Sequence, residues 1–265
     1  MEELRLWQGA DGVVSLAPLK KPSLHDVGSK VAQQLGVSEA KGRRIAKAFD
    51  DTFARPFAAK LQSVTLKDIL KKKNPYLYRA SGVKSCRDLV NRAYADYSSA
   101  SVEGFFGQFL EAVARIVSGG IKPAGAGEID LDKRREDRAY LYAIKSGPSA
   151  FNSSSLKKAQ EQLLTAESKL SQDDVVAIKT IACAYGRKRT THRGGIRYMA
   201  SKDFWGEVSG DPDFYSKLLE ACDELRSLYA ADVEEPRKRL LEEARDAFCS
   251  GSDIDWSSVL KQASG

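Results

Sequence analysis

The chain is predicted to adopt an α/β (α+β) fold, a small mixed sheet flanked by helices, on three observations. Helical periodicity dominates both ends, whereas the stretch between Gly119 and Met199 holds short strand-like runs. One of these, VVAIKTIACAYG at 175–186, is almost continuously apolar, as expected of a strand buried in the middle of a sheet. A length of 265 residues suffices for one substantial core. The expected organisation is therefore a single domain over 1–265, with a helical N-terminal part (1–100), an α/β core (101–200) and a helical C-terminal part (201–265).

Each element has a local reason. Residues 1–22 are punctuated by Pro and Gly and show no long period. Residues 25–61 read as helical with a break at Gly36, a basic middle (Lys41, Arg43, Arg44, Lys47) and apolar Ile45, Ala48, Phe49 and Phe53. A second helix is expected from Ser85 to Tyr97. A third, from Val102 to Val117, is apolar over a wide arc that includes Phe105, Phe109, Leu110 and Val113, which marks a core helix. Gly119-Gly120 ends it. GAGEIDLD then turns into a short strand, KRREDR is a charged hairpin-like connection, and AYLYAIK is a strand rich in aromatic and β-branched residues. SSSLKKAQEQLLTAESKL is a helix capped by Asn152 or one of the serines. After the apolar strand come the basic loop GRKRTTHRGG and a short IRYM strand. Helices from about Asp213 to Ala230 and from Val233 to Phe248 complete the chain.

Composition narrows the functional classes. Hydrophobic residues at 42% and charged residues at 29% describe a soluble globular protein, and no apolar run reaches bilayer length. MEELRLWQGADG lacks the basic-then-apolar pattern of an export signal, so a cytoplasmic location is expected. Cys86, Cys183, Cys222 and Cys249 are far apart and only two histidines are present, which argues against a zinc site and against a disulfide framework. Buried free thiols are the expectation. The net charge of +6 favours a polyanionic partner, and its distribution is more telling: Lys71, Lys72 and Lys73 precede NPYLYR, while Arg187, Lys188, Arg189, His192, Arg193 and Arg197 crowd one stretch.

The constellation with chemical content is EIDLD followed by YLYAIKSG. Asp130 and Lys145 lie 15 positions apart, on two strands that the KRREDR turn would pair side by side. A carboxylate binds Mg²⁺ through oxygen, and a nearby lysine orients the attacking water or stabilises charge developing on phosphorus. That is the minimum equipment for metal-assisted phosphodiester hydrolysis. A strand lysine with its head in solvent is the competing structural reading. Ser146 and Gly147, just after the lysine, would let the backbone turn tightly beside a phosphate.

These residues resemble the D…(D/E)-x-K nuclease core, PD-(D/E)xK. AIKSGP followed by NSS, a Lys-Lys helix and a strand ending in C-x-Y-G-R resembles more narrowly the PmeII-like group of type II restriction endonucleases. KKKNPYLYRA and EGFFGQFLE upstream and DFWGEVSGDPDFY downstream extend that likeness over roughly residues 65–220. The resemblance implies a restriction-endonuclease-like core and Mg²⁺-dependent cleavage of double-stranded DNA at a short sequence, leaving 5′-phosphate ends. It also implies a cognate DNA methyltransferase as functional companion.

One position departs from the pattern. Where the motif has an acid two residues before the lysine, this chain has Ala143. Glu161, 16 positions beyond Lys145 on the following helix, is the expected replacement, with Asp130 and Glu161 as the metal ligands. An i,i+4 pair with Lys157 is the alternative for Glu161. The resemblance also implies a further carboxylate from the preceding helix, with Glu111 preferred over Glu103. Asp132, two residues from Asp130, would point to the same face of the strand as a second ligand or a solvated strand-end acid.

DNA contacts are expected from Arg187, Lys188, Arg189, Arg193 and Arg197 in the basic loop, and from Lys73. Arginine can read guanine with two hydrogen bonds, while lysine mostly meets phosphate. His192 is a polar contact rather than a general base. Reading a palindrome calls for two-fold symmetry, and a homodimer supplies it. Leu218, Leu219, Leu225, Leu240, Leu241 and Phe248 could form its interface or could pack within the chain. Two other readings compete: a structure-selective repair or recombination nuclease on the same core, and a non-catalytic DNA-binding module. Convergence of Asp130, Glu161 and Lys145 on one cation would separate enzyme from module.

Overall fold

Capping residues set where the first helices start and stop. In this computed structural model, which describes residues 21–125, 127–147, 152–187 and 189–264, the Ser23 hydroxyl accepts a hydrogen bond from Asp26 N and opens α1 (Leu24–Leu35). Gly36, at φ 63°, closes it. Helix α2 (Glu39–Phe49) runs through a π-helical turn (Asp50–Ala54) into α3 (Arg55–Ser63). The Asn74 side chain caps α5 (Pro75–Ala80), which follows α4 (Leu66–Leu70).

The two helices expected between Ser85 and Val117 are one. Helix α6 (Cys86–Ser118) runs for 33 residues from a capping box of Ser85 and Asp88 to Gly119 at φ 75°. The serine-rich stretch in its middle does not break it, because it holds neither Gly nor Pro. The Ser98 hydroxyl instead bonds back to the Tyr94 carbonyl at 2.6 Å. At 1.5 Å per residue this helix is roughly 50 Å long.

The sheet comes next. β1 (Leu131–Arg135) and β2 (Arg138–Lys145) form a tight antiparallel hairpin, so most of KRREDR is strand rather than connection. Helix α7 (Ser153–Leu170), capped by Asn152, crosses to β3 (Val176–Cys183), which pairs parallel to β2. β4 (Thr191–Arg193) lies inside the expected basic loop and pairs antiparallel with β5 (Ile196–Ala200), itself parallel to β3. The strand order is β1-β2-β3-β5-β4. Register brings Lys145, Cys183 and Ala200, the last residues of three parallel strands, side by side. That is the end of an open α/β sheet where ligands bind.

Both faces of the sheet are covered. Leu131, Tyr142, Ile144, Ala182 and Met199 pack with α1, α2, α3, α6, α8 (Ser201–Ser209) and α9 (Phe214–Arg226). Leu141, Ala143 and Ile181 pack on the other face with Ala159 and Leu163 of α7. A separate core joins α4, α5 and the first half of α6 to α10 (Ala230–Phe248) and α11 (Trp256–Ser264), with β6 (Cys249–Ser250) and β7 (Asp253–Ile254) forming a small ladder between those two helices.

The C-terminal apolar faces are used mostly inside the chain: Leu218, Leu225, Leu240 and Phe248 are buried, while Leu219 is exposed. The expectation of free thiols is corrected at two positions. Cys86 and Cys249 form a disulfide with Cα atoms 6.2 Å apart, and Cys183 and Cys222 remain as thiols outside it. The partners are 163 positions apart, and only the fold, through hydrogen bonding of Cys86 N to the Ser252 carbonyl, brings them together. Among the described residues no helix is long and apolar enough to cross a membrane.

Candidate active site

Asp130 sits just before β1 and is held from three sides. Its backbone N–H donates to the Tyr142 carbonyl at 2.8 Å, and its Oδ2 accepts from Ile144 N at 2.9 Å. The Arg115 guanidinium donates to its carbonyl oxygen at 3.1 Å. The carboxylate, with 6% of its side chain exposed, therefore has one oxygen fixed by strand β2 and the other turned to the Lys122 ammonium.

Glu111 comes to the same place from α6. Lys122 Nζ lies 3.0 Å from Asp130 Oδ1 and 3.7 Å from Glu111 Oε2, so one small cation reaches both carboxylates. Burial, and then the charge of Asp130, push Glu111 up to about 7, against the opposing pull of Lys122, Arg115 and Lys145. Two acids forced together in a partly dry site have a strong demand for positive charge.

Lys145 closes the group. It is the last residue of β2 and donates to Glu128 Oε2 at 3.0 Å. Burial works against its charge, but Glu128, Asp130 and Glu111 outweigh that and hold the ammonium above its ordinary value. The hydrogen bond from Lys145 in turn holds Glu128 below the usual carboxylate range. Glu128 is steadied by α7, where Gln162 accepts from its backbone N–H and Lys158 lies 3.7 Å from its Oε1.

The structure thus brings together Asp130, Lys145 and Glu111, and adds Glu128 and Lys122, which sequence reasoning did not single out. The E-x-D spacing of Glu128 and Asp130 was a usable signal for the first. Nothing in the sequence marked the second. Glu161 does not join them: its side chain is 62% exposed and faces Lys157 at 3.9 Å. Glu103 is exposed as well, and Glu167 pairs with Lys179.

Asp132 does not share the surroundings of Asp130. Arg134 holds it with two nitrogens, the shortest contact being 2.8 Å. Strand alternation fails between the two acids because Asp130 precedes the first strand residue. Ile129 packs toward α7 while Leu131 packs toward α6.

Among the described residues no group of three or more Asp, Glu, His or Cys forms a metal site. The donor set present is Asp130 and Glu111, two hard oxygen donors converging on one cation position. Mg²⁺ is commonly held by one or two carboxylates, with waters and substrate phosphate oxygens completing its shell, so these residues fit it.

The basic loop starts at the same sheet end. Ala184 N donates to the Lys145 carbonyl at 2.8 Å and Tyr185 N to the Ser146 carbonyl at 3.0 Å, while the Trp205 indole pins the Ala184 carbonyl at 2.9 Å. Arg187, Arg189 and Arg193 are exposed and make no ion pair among the described residues. Lys188 lies outside the described residues. Arg197 points elsewhere, bound to Glu207 and to the Thr180 hydroxyl beside Tyr142. Lys73 donates to the Asp96 carbonyl on α6 at 3.2 Å. His192, on the β4 edge, is exposed.

Comparison with known proteins fits this arrangement. The model of a family described as type II restriction endonuclease EcoO109I matches residues 42–226, which contain the whole cluster and the basic loop. No curated protein matches the chain.

Proposed function

The chain belongs to the type II restriction endonuclease EcoO109I family, and from that premise we propose that it cuts double-stranded DNA at a specific sequence in a Mg²⁺-dependent reaction centred on Asp130, Glu111 and Lys145. The observation that carries this reading is the pair of carboxylates, Asp130 and Glu111, converging on one cation beside the ammonium of Lys145. Membership of the family makes the protein a site-specific nuclease acting on DNA. The metal, the residues and the products are the finer reading.

Asp130 and Glu111 would hold the cation, and Arg115 keeps Asp130 in place through its backbone carbonyl. A bound Mg²⁺ supplies Lewis acidity at the phosphate and a more acidic attacking water. Lys145 orients that water and offsets negative charge developing on the phosphoryl oxygens. Glu128 keeps the ammonium aimed and charged. Hydrolysis then leaves a 5′-phosphate. Arg187 and Arg189 project from the loop that leaves the same sheet end, while Arg193 is the last residue of β4, opposite Ile196 and further from that end. All three are exposed and suited to groove contacts, with base reading by arginine as the source of sequence choice. A homodimer would present two such centres to a palindromic site, and a cognate methyltransferase would protect the host sequence.

The test is incubation of the purified protein with unmethylated phage DNA in Mg²⁺ or in EDTA, beside Lys145→Ala. Discrete fragments that need Mg²⁺ and vanish in the variant are expected. Intact DNA in every lane, with only salt-sensitive gel shifts, would leave a binding module.

A further inference from the structure

Lys122 is the cation that buried Asp130 and half-buried Glu111 hold in this structure, and its setting is specific. After Gly119 ends α6, the chain runs against β1, where Ile121 and Asp132 exchange backbone hydrogen bonds of 2.9 and 2.8 Å. The approach is close: a Cβ on Gly120 would lie 2.3 Å from Leu131 Cδ1 and 2.7 Å from the Asp132 carbonyl oxygen. The backbone before Lys122 is therefore fixed, and its side chain reaches across to Asp130 at 3.0 Å and Glu111 at 3.7 Å.

The two partners differ sharply from the lysine in exposure. Asp130 and Glu111 are buried to 6% and 18% side-chain exposure, whereas Lys122 retains 47%. Of the other nearby cations, Arg115 is tied to the Asp130 carbonyl and is mostly buried, and Lys145 donates to Glu128. Of these three, Lys122 is the one that combines an ammonium bridging Asp130 and Glu111 with a long, solvent-facing stem able to swing aside without moving the backbone.

We propose that Lys122 is a resident counter-cation, holding Asp130 and Glu111 together in the metal-free protein and giving up its place when a divalent cation binds there. This rests on the assignment of those two carboxylates as the metal ligands. Metal binding is then an exchange of one cation for another, and Lys122 sets the metal concentration at which the centre becomes loaded. In the absence of metal the same lysine relieves the repulsion between the two acids and so supports the fold.

The experiment uses the full chain stripped with EDTA and titrated with Mg²⁺ by calorimetry, together with thermal unfolding in EDTA and in Mg²⁺. Lys122→Gln is expected to bind Mg²⁺ about tenfold more tightly, the scale of losing one like charge at contact distance from a partly exposed site. Its Tm should be lower than wild type in EDTA and should rise further than wild type on adding Mg²⁺. Lys122→Arg, which keeps the charge, should bind Mg²⁺ no more tightly than wild type. An unchanged or weaker Mg²⁺ affinity in Lys122→Gln, with wild type binding normally and Asp130→Asn not binding, would overturn the exchange while leaving the ligand assignment intact. Wild type and Asp130→Asn binding Mg²⁺ alike would overturn both.

Discussion

Lys145 donates a 3.0 Å hydrogen bond to Glu128, so the carboxylate that steadies the strand lysine comes from the segment before β1 and not from position 143. Glu128→Gln is expected to slow DNA cleavage by about 10–100-fold, as loss of such a supporting hydrogen bond typically does. DNA binding measured without metal should stay near wild type. Because Glu128 helps hold the Lys145 ammonium above its ordinary value, removing it shifts the alkaline limb of the pH–rate profile to lower pH. A variant with wild-type rate and profile would remove Glu128 from the mechanism.

Much of this was legible in the sequence, and what was not has physical causes. The apolar run at 175–186 and the Asn152 cap announced β3 and α7. The strands following Asp130 and ending at Lys145 do pair, with Asp130 just before β1 and near enough for its charge to act on the Lys145 ammonium. Ala143 shows why the acid of the motif is missing: it is 1% exposed and packed with Ala159 and Ile181 beneath α7, where a carboxylate would be costly. The missing motif acid pointed, through the family resemblance, to Glu161 on the following helix, but which face of α7 meets the sheet is decided by tertiary packing. That face presents Gln162 to Glu128. Arg197 was misleading for a similar reason. It follows a basic loop in sequence, yet it lies in a strand and turns in to Glu207. The Cys86–Cys249 pairing depends on contacts 163 positions apart, which local pattern does not record.

Glu111 gives the metal-free protein a pH signature. Its folded value is pushed up to about 7 from an ordinary 4.5, first by burial and then by Asp130. Between those values the folded chain binds more protons than the unfolded one, so this group makes stability fall as pH rises through the window. In EDTA, wild-type stability minus that of Glu111→Gln should decline from pH 4.5 to about 7 and then level off. A flat difference would contradict the combined burial of Glu111 and its placement against Asp130.

Gly147 is needed for a contact across the strand ends. A Cβ there would lie 2.2 to 2.5 Å from the ring and hydroxyl of Tyr185, whose residue is 58% exposed beside the Lys145 strand end. The ring is free to swing outward, so Gly147→Ala should change stability by less than about 1 kcal/mol. Cleavage should nonetheless fall, since Tyr185 leaves the mouth of the centre. In a double-mutant cycle, Gly147→Ala should add little to Tyr185→Ala. Full additivity of the two losses would show that Gly147 acts independently of the tyrosine.

The disulfide ties the start of α6 to the C-terminal ladder, far along that helix from Glu111. Cys86→Ser should lower stability by about 2–4 kcal/mol, the usual range for such a link. Mg²⁺ affinity should be unchanged. Wild-type protein whose Tm does not respond to a reducing agent would contradict this pairing.

The most direct test of the centre compares single-turnover DNA cleavage by Asp130→Asn and Glu161→Gln in Mg²⁺. With Asp130 bonded to Ile144 N and bridged to Glu111 through Lys122, and Glu161 out in solvent beside Lys157, Asp130→Asn should lose at least about 100-fold in rate, the scale of removing a principal electrostatic group. Glu161→Gln should cut like wild type. An active Asp130→Asn beside an inactive Glu161→Gln would contradict the account and return the metal to the helix carboxylate.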